Sequence, residues 1–526
     1  MTRKYFTFLL LVSLLFASNI FSQSLPSGTG RYEALGYNPF MTDPAYDLNR
    51  NPAWGHQYRN YAFGDIGRAD LSDPSLYKLK NQYAGFDFGL GKNVFAGFIV
   101  NREDGMIFDS VFNVSKPWGL GALGINLPIV PLKAFFGFNT SDKFTLALSL
   151  YYAQKSQDST LPVTNSVYFD TTGQGIETWF EKLRANDNKY NVSKSSSVFG
   201  ITLGTLGRFK GGWIEGNIDL KFNKFKYSGN WDTTLTHTYY QRGLRDSVYK
   251  EAIRTVNITA ENDGALEFNA ATRAMLMISK ENNISLVPYF NIGLFSWKPT
   301  YNPADSRLDS LPVPKYRNTV TYDYKYSYLN INGGVGINMP VFSDGLLAFG
   351  VSLGYNSFKL TSTDISTRYT GNGIAPGSTD TLKSATTINN DYKYSRLLLP
   401  KINVGLEWKF TNWLTGRFGY SRSVVNEKTN QTSTVTNAVN QISSDPNLNN
   451  RLISSTTLSN PGNVINNQNP TDPVQTISLG MGFHFDRFSL DGMIGEKFFQ
   501  KGINLLSGQD DKEMFGVLSA SYYFNK

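Results

Sequence analysis

The sequence predicts an all-β fold: a transmembrane antiparallel β-barrel of fourteen strands, with sixteen as the alternative, and a small N-terminal hatch in the lumen. Three observations support this prediction. The chain begins with an export-type segment, later segments alternate between apolar and polar residues, and the connections between them alternate between short and long. We expect a signal peptide at 1–22, a hatch at 23–82 and the barrel at 83–526.

The export-type segment reads MTRKYFTFLLLVSLLFASNIFS. It has a basic start at Arg3 and Lys4, an apolar run from Tyr5 to Phe16, and a small residue, Ser22, at a suitable cleavage position. This run is too short to anchor a protein in a membrane. The chain has no cysteine, so it can form no disulfide and carry no lipid on a cysteine. We therefore expect an exported, unlipidated protein.

The composition also favours a membrane barrel. Aromatic residues make up 14% of the chain, yet the mean hydropathy is −0.30 and no later apolar run could form a membrane helix. Strands of a barrel show lipid only every second residue, which hides their hydrophobicity from averages. The formal net charge of +8 is spread over segments of mixed sign and does not indicate a nucleic-acid partner.

The alternation is clearest in LLAFGVSLGYN, where Phe349, Val351 and Leu353 share one face and small or polar residues fill the other. The same pattern recurs at 144–152, 402–410 and 474–485. A soluble sandwich also alternates, so a single strand does not separate the two folds. Glycines on the polar face are interpreted as relieving crowding at a curved wall.

The connections separate them, because an outer-membrane barrel has short turns at one end and long loops at the other. Short links are expected at 139–143, 208–212, 279–283, 340–345, 409–413 and 484–488. Long polar links are expected at 155–195, 229–263, 298–322, 362–395, 426–473 and 499–512. Thirteen strands follow from Leu132 onward, and an even total requires one or three more from 83–127.

Residues 23–82 lack sustained alternation but contain many aromatic residues for a solvated tail, which favours a folded hatch over a disordered leader. Within them, GTGRYEALGYNPFMTDPAYDLNRNPAW resembles the N-terminal hatch of the FadL-type outer-membrane transporters for long-chain fatty acids and other hydrophobic compounds. The resemblance rests on Gly28, Gly30, Arg31, Gly36, Asp43, Ala45, Arg50, Asn51, Pro52 and Ala53. Type IX secretion shuttle barrels (PorV-like) share such an N-terminus.

The NPA sequence predicts a compact turn, since Pro52 biases Asn51 away from helix and Ala53 keeps the chain slim. Arg50 is then free to pair with a lumen carboxylate such as Glu407, Glu267 or Glu215, or simply to anchor the hatch. Counting the phase of the strands places charged residues of both signs on the lumen wall, which favours salt bridges over an ion filter. These residues are Glu215, Glu267, Arg273, Lys401, Glu407 and Arg417.

The link 155–195 contains GIETWFEKLRAND, in which Ile176, Trp179, Phe180 and Leu183 would form one apolar stripe on a short helix. In the FadL-type family a loop helix of this kind forms a greasy entry groove, so these residues are candidates for ligand entry. Capping the barrel mouth or lying at the membrane interface are the alternatives. The Asn-rich link 426–473 is interpreted as a mobile surface loop, and a carbohydrate or phage contact is a further hypothesis for it.

Catalysis has little support. The three histidines lie far apart in the sequence and no serine-centred motif accompanies His484, so we expect no enzyme, no cofactor and no metal site. Three functions stay open for a protein expected in the outer membrane of a Gram-negative bacterium: passive uptake of fatty-acid-like molecules through a hatch-gated lumen, a structural or type IX secretion-associated barrel, and a general porin. Expected partners are outer-membrane lipid, a hydrophobic ligand, and a secretion or surface protein.

Overall fold

A computed structural model describes residues 30–65, 83–101, 129–162, 167–172, 179–241, 247–309, 316–341, 344–370, 381–442, 452–460, 464–494 and 515–524. The predicted signal peptide, Gly28, Ile176 and the link 499–512 lie outside these ranges. Within them, no helix has the length and apolar character needed to cross a membrane.

Short helices occupy the N-terminal part, and strands follow. The helices are α1 (Gly30–Ala34), α2 (Pro44–Arg50) and a 3₁₀ helix (Pro52–His56). The strands are β1 (Tyr61–Asp65), β2 (Tyr83–Leu90), β3 (Val94–Asn101), β4 (Ile129–Ser141), β5 (Phe144–Pro162), β6 (Val167–Thr172), β7 (Trp179–Phe209), β8 (Gly212–Gln241), β9 (Ser247–Ser279), β10 (Ile284–Asp309), β11 (Tyr316–Val341), β12 (Gly345–Thr370), β13 (Thr381–Lys409), β14 (Leu414–Ile442), β15 (Leu452–Asn460), β16 (Val464–Phe485), β17 (Phe488–Ile494) and β18 (Phe515–Tyr523).

The described strands form a closed antiparallel barrel of sixteen. Each pairs with its neighbour in the chain, except that β5 pairs with β7 and β14 pairs with β16. β6 and β15 are extra strands that pair with the far ends of β7 and β14. The ring closes at β1, which pairs with both β18 and β2. Because every ring strand has two partners, the barrel has no open edge.

The predicted count of fourteen is therefore wrong, and the alternative of sixteen is correct. Of the three described strands that precede β4, two (β2 and β3) lie in the predicted range 83–127, and the third is Tyr61–Asp65, which the sequence placed in the hatch at 23–82. The barrel wall thus begins about twenty residues earlier than the predicted boundary at 83. Its five residues are too few to show a period of two, which is why the alternation did not reveal it.

The outer face carries an apolar band, as the alternation predicts. On β12, Phe349 and Leu353 are exposed while Ala348 and Ser352 are buried. The band runs over 144–152 on β5, 214–222 on β8 and 347–355 on β12, with exposed large apolar side chains along each range. About nine residues of a tilted strand cross the hydrocarbon core of a bilayer. Beyond the band, the outward-facing residues turn polar.

Most of the predicted long loops are strands. β8 and β9 contain 30 and 33 residues, and they extend through the expected link 229–263 as a paired hairpin. The same holds for most of 155–195, 298–322, 362–395 and 426–473. The sequence of these segments shows no sustained apolar contrast at period two, although their described backbone pairs with neighbouring strands.

The helix predicted in GIETWFEKLRAND is also wrong, because Trp179, Phe180 and Leu183 belong to β7 and pair with β8. In a strand, residues three positions apart belong to opposite faces, so a helical spacing of i, i+3 and i+4 gives no single stripe. β6 covers the second edge of this part of β7. Pairing on both edges has overridden the local helical pattern, and a role of these residues in ligand entry stays a prediction.

The inner face of the extended wall carries a group of buried aromatic and aliphatic side chains, here called the inner aromatic cluster. Its strongest ring contacts join Phe225, Trp297, Tyr326 and Phe358, with centroids 5.0 to 5.9 Å apart. The members are Val192, Phe225, Tyr227, Ala260, Ala265, Phe295, Trp297, Tyr324, Tyr326, Tyr328, Phe358, Leu360 and Tyr394. They come from β7 to β13, so the cluster is continuous along one side of the ring.

Candidate functional site

The N-terminal segment, defined here as 30–60, lies against the inward-facing residues of the wall. α1 contacts β14, β16, β17 and β18, and the 3₁₀ helix contacts β2, β3, β4, β5 and β7 on another part of the ring. Leu35, Leu48 and Ala53 are fully buried. Burial of a short segment on all sides means that its polar groups need partners on the wall.

Capping interactions fix the local shape of the segment. The Asp43 carboxylate accepts a hydrogen bond from Tyr46 N at 3.1 Å and caps the start of α2, where Pro44 takes the first helical position. Asn51 ends α2, and its side-chain oxygen accepts from Ala53 N at 3.1 Å. Pro52 then starts the 3₁₀ helix, so the predicted compact NPA turn takes this form.

Glu215 on β8 is the centre of the first polar contact, here called the Glu215 cluster. Its carboxylate accepts from Arg50 and from Arg273 Nε at 2.7 Å. Trp54 Nε1 donates to the same carboxylate at 2.5 Å, and Asn51 Nδ2 does so at 3.1 Å. Glu215 is 2% exposed. Three residues of the N-terminal segment therefore meet on one buried wall carboxylate.

Arg273 on β9 completes this cluster. Its Nη2 lies 2.6 Å from Asp47 Oδ1, and its Nη1 donates to Met41 O at 2.9 Å. With Arg50 and Glu215, two guanidinium groups face two carboxylates, so the cluster is electrically balanced in a region shielded from water. Such burial is tolerable only because each charge is paired and hydrogen-bonded. Of the three wall partners considered for Arg50, the structure shows Glu215.

A second cluster surrounds Glu407 on β13, here called the Glu407 cluster. Arg31 of α1 binds it with two bonds, Nε to Oε2 at 2.9 Å and Nη2 to Oε1 at 3.2 Å. Arg417 Nε donates to Oε2 at 2.7 Å, and Arg417 Nη1 lies 2.7 Å from Asp491 Oδ1. Arg31 also contacts Asp43 at 3.1 Å, which ties the cap of α2 to the wall. A two-bond guanidinium–carboxylate contact fixes direction as well as distance.

Wall glycines leave the space that the segment fills. A Cβ on Gly336 or Gly350 would overlap the ring of Phe40, and one on Gly419 would overlap the backbone of Gly36. Gly36 has φ +68°, a conformation that glycine adopts without the cost borne by other residues. The sequence interpretation of these wall glycines as relieving curvature is thus incomplete, because several of them receive the segment.

The other predicted residues are placed as follows. Gly30 N donates to Ser519 Oγ at 2.9 Å, and Ala45 packs in an apolar cluster with Leu48 and Trp54. Glu267 is buried and accepts from Asn269 Nδ2 at 2.8 Å, six residues along β9 from Arg273. Lys401 is half-buried on β13 just after a register shift. Glu267 and Lys401 thus lie on the inner face of the wall, outside the two clusters.

Sequence reasoning missed some contacts of the segment. Asp47 and Asp491 complete the two clusters, and Lys133 Nζ donates to Asn49 O at 2.5 Å. The strand alternation could have identified Lys133 as an inward-facing residue. It follows exposed Leu132 and lies two residues before buried Phe135. No alternation could predict the orientation of Asp47, because this residue lies on a helix of only seven residues.

Two titratable groups of the segment are shifted. Burial, assisted by nearby Arg208 and Arg59, lowers the pKa of His56 to about 4, so its ring is neutral at pH 7. Burial raises the pKa of the Asp47 carboxyl to about 6, although Arg273 and Arg50 oppose that shift. His484 on β16 contacts the hydroxyls of Ser489 and Thr415 at 3.0 and 3.1 Å.

Comparison with known proteins does not identify a family. No family model and no curated protein matches the sequence. Among solved structures, a mutant of the ferric enterobactin receptor of Pseudomonas aeruginosa is similar at 8% identity and a TM-score of 0.24, with 88% of this chain and 80% of that chain covered. The siderophore receptor PiuA of Acinetobacter baumannii is similar at 10% identity and a TM-score of 0.21, with 88% and 81% covered. These TM-scores are too low to establish a common fold.

Proposed function

We propose that the chain is an outer-membrane β-barrel of a Gram-negative bacterium in which the N-terminal segment acts as a hatch. When the hatch moves, hydrophobic small molecules of fatty-acid type cross passively, without a catalytic step. The observation that carries this proposal is the set of contacts between one short segment and wall strands around the ring, centred on Glu215 and Glu407. The apolar band on the outer face supports membrane insertion.

The hatch role follows from the kind of contact that holds the segment. Ion pairs and hydrogen bonds depend on direction, so they are lost together when the segment shifts. The recess that holds the Phe40 ring accepts the same ring again when the segment returns. A segment held by two clusters and tethered to β1 at Tyr61 can leave the wall without unfolding the ring. Such an arrangement suits a gate.

The hydrophobic cargo is supported by the inner aromatic cluster. It lies on β7 to β13 beyond the N-terminal segment, on the side of the long hairpins. Aromatic surface binds apolar molecules by burial and offers no fixed charge that would favour ions. The resemblance of Gly30 to Ala53 to the FadL-type hatch points to the same class of cargo.

Conductance in a planar bilayer tests the hatch. The deletion should remove 24–58 and stop there, because Tyr61 belongs to the ring. We expect the intact protein to be silent and the deletion variant to conduct. Both proteins should change their electrophoretic mobility on heating, as folded barrels do. Steady conductance of the intact protein would instead support a general porin, and a silent deletion variant would overturn the hatch role.

A sealed barrel that serves as a structural or type IX secretion-associated protein is the second candidate. Burial of Trp297 and Tyr326 at 0% favours it, because these rings already fill one another's space. Uptake of an apolar fluorescent probe into protein-loaded vesicles separates the candidates. Probe entry above that of empty vesicles supports transport; no entry, together with co-purification of secretion components from the native membrane, supports the sealed barrel.

A further inference from the structure

A repeated pattern on four neighbouring strands lies just beyond the apolar band. β10 reads Ser-Trp-Lys at 296–298, β11 reads Lys-Tyr-Ser at 325–327, β12 reads Ser-Phe-Lys at 357–359 and β13 reads Lys-Tyr-Ser at 393–395. The order reverses on alternate strands because the strands are antiparallel. The central aromatic residue is buried inside the barrel in every case, so the serine and the lysine face outward.

The register brings the lysines together in pairs. Lys359 is the direct cross-strand partner of Lys393. Trp297 and Thr300 are partners of Tyr326 and Asp323, which places Lys298 beside Lys325. All four lysines are exposed. Like charges directly opposite each other on a sheet are unfavourable unless an anion lies between them.

The acidic groups near these lysines balance them only in part. Asp391 lies 3.5 Å from Lys359 with both side chains 49% exposed, a surface pair that contributes little. Asp323 is exposed two residues from Lys325. The four lysines of the pattern thus have two aspartates beside them among the described residues, and Lys428 on β14, exposed opposite Ser395, adds a further positive charge.

Three of the four serines line a cavity between the lysines and the apolar band. Its volume is about 410 Å³, and Ser296, Ser327 and Ser357 lie in its wall beside Leu266, Leu294 and Leu329. The two flanking leucines on β9 and β10 are 44% and 43% exposed members of the band. Moving outward along the wall, the surface therefore changes from apolar to hydroxyl to cationic within a few residues.

We propose that this Ser–Lys belt, formed by Ser296, Lys298, Lys325, Ser327, Ser357, Lys359, Lys393 and Ser395, binds the phosphate-bearing headgroup of an anionic lipid in the adjacent leaflet. The phosphate lies between paired ammonium groups, the serine hydroxyls donate to its oxygens, and the acyl chain lies on the apolar band. The order of the three surfaces matches the order of groups in a lipid, which favours a membrane lipid over a soluble anion. This proposal rests on the proposed membrane location of the barrel.

The pattern is absent at the same level on β5 and β7, which are separated from β10 by β8 and β9. On β5 the outward positions beyond the band are Gln154 and Ser156, and on β7 they are Ser195 and Ser197. The positive charge is therefore not a uniform ring around the barrel. β8 contributes two further exposed lysines at 224 and 226, the second of them opposite Glu261.

Spin-labelled lipids in protein-containing phosphatidylcholine vesicles test the proposal. The measured quantity is the association of labelled phosphatidic acid with the protein relative to labelled phosphatidylcholine. The two double variants, Lys298→Gln with Lys325→Gln and Lys359→Gln with Lys393→Gln, should each lower this preference about fivefold. The matched control, Lys210→Gln with Lys280→Gln, removes two exposed lysines from turns at the other end and should leave it within about twofold.

Each outcome has a distinct meaning. Equal loss in the control would indicate general attraction to basic groups and would overturn the belt. Suppression of the preference by millimolar inorganic phosphate would show that a free anion satisfies the lysines and would overturn the assignment to a lipid. A protein that inserts into vesicles and shifts on heating, yet shows no preference, overturns the belt alone. A protein that does not insert overturns the membrane barrel and the belt with it.

Discussion

Replacing Glu215 with Gln should release the N-terminal segment from the wall. Gln keeps the size of the side chain but removes the charge that Arg50 and Arg273 share. Arg273 is 1% exposed and would keep Asp47 as its remaining carboxylate. Removing one partner of a buried ion pair costs about 3–5 kcal/mol, and the remaining carboxylate places this case near the lower value. The released fraction should therefore rise about a hundredfold.

A single cysteine reports this change, because the chain has none of its own. Ala53 is fully buried, so in an Ala53→Cys background a maleimide reacts only with the released segment. When release and return are fast compared with labelling, the labelling rate follows the released population. We expect about hundredfold faster labelling in Glu215→Gln than in the parent.

Glu267→Gln is the matched control. Glu267 is an equally buried carboxylate on the neighbouring strand, but it lies six residues, about 20 Å, along β9 from Arg273. Its replacement should leave the labelling rate of the cysteine within about threefold of the parent. Equal rates in Glu215→Gln and the parent would refute the reasoning, and so would equal acceleration by the two glutamine variants.

Three further predictions use the same cysteine reporter. Glu407→Gln should accelerate labelling about tenfold, less than Glu215→Gln, because its carboxylate is 20% exposed and water can replace part of the lost contact; equal effects at the two positions would contradict this. Gly419→Val should displace α1, since its side chain would overlap the backbone of Gly36, whereas Gly211→Val in an open turn should not. Acidification from pH 6.5 towards 4 should favour release through His56, because the docked segment lowers the pKa of this histidine and the released segment therefore binds its proton more readily. Asp47 opposes this effect, because its pKa is raised in the docked segment and its protonation favours docking. The difference between parent and His56→Asn isolates the histidine, and identical pH profiles would exclude its contribution.

The parts of the fold that the sequence predicted are those where an apolar environment imposes a period. Phe349, Val351 and Leu353 face outward, and their alternation with buried residues of the inner face can be recognised in one strand. The same phase placed Glu215, Arg273, Glu407 and Arg417 on the inner face. It could not assign their partners, because the pairing depends on where the N-terminal segment lies in three dimensions.

The parts that failed are those where no apolar contrast exists. The hairpin formed by β8 and β9 continues far beyond the band, but its sequence there shows no sustained apolar alternation and was interpreted as a loop. Trp179 to Leu183 has a local helical period that strand pairing on both edges overrides. The five residues of β1 are too short for any period, although they close the ring.

The paired wall is long enough to separate the charges at the tip of each hairpin from those at its base beside the apolar band. From Ala265 at the edge of the band, β9 continues to Ser247, a rise of roughly 45 Å for a tilted strand. Screening in physiological salt reduces exposed charge interactions over about 8 Å. In the proposed membrane setting, the tips of such hairpins are thus electrically independent of the lipid phosphates, and the charges there can suit a macromolecule in solution without altering how the base of the wall contacts lipid.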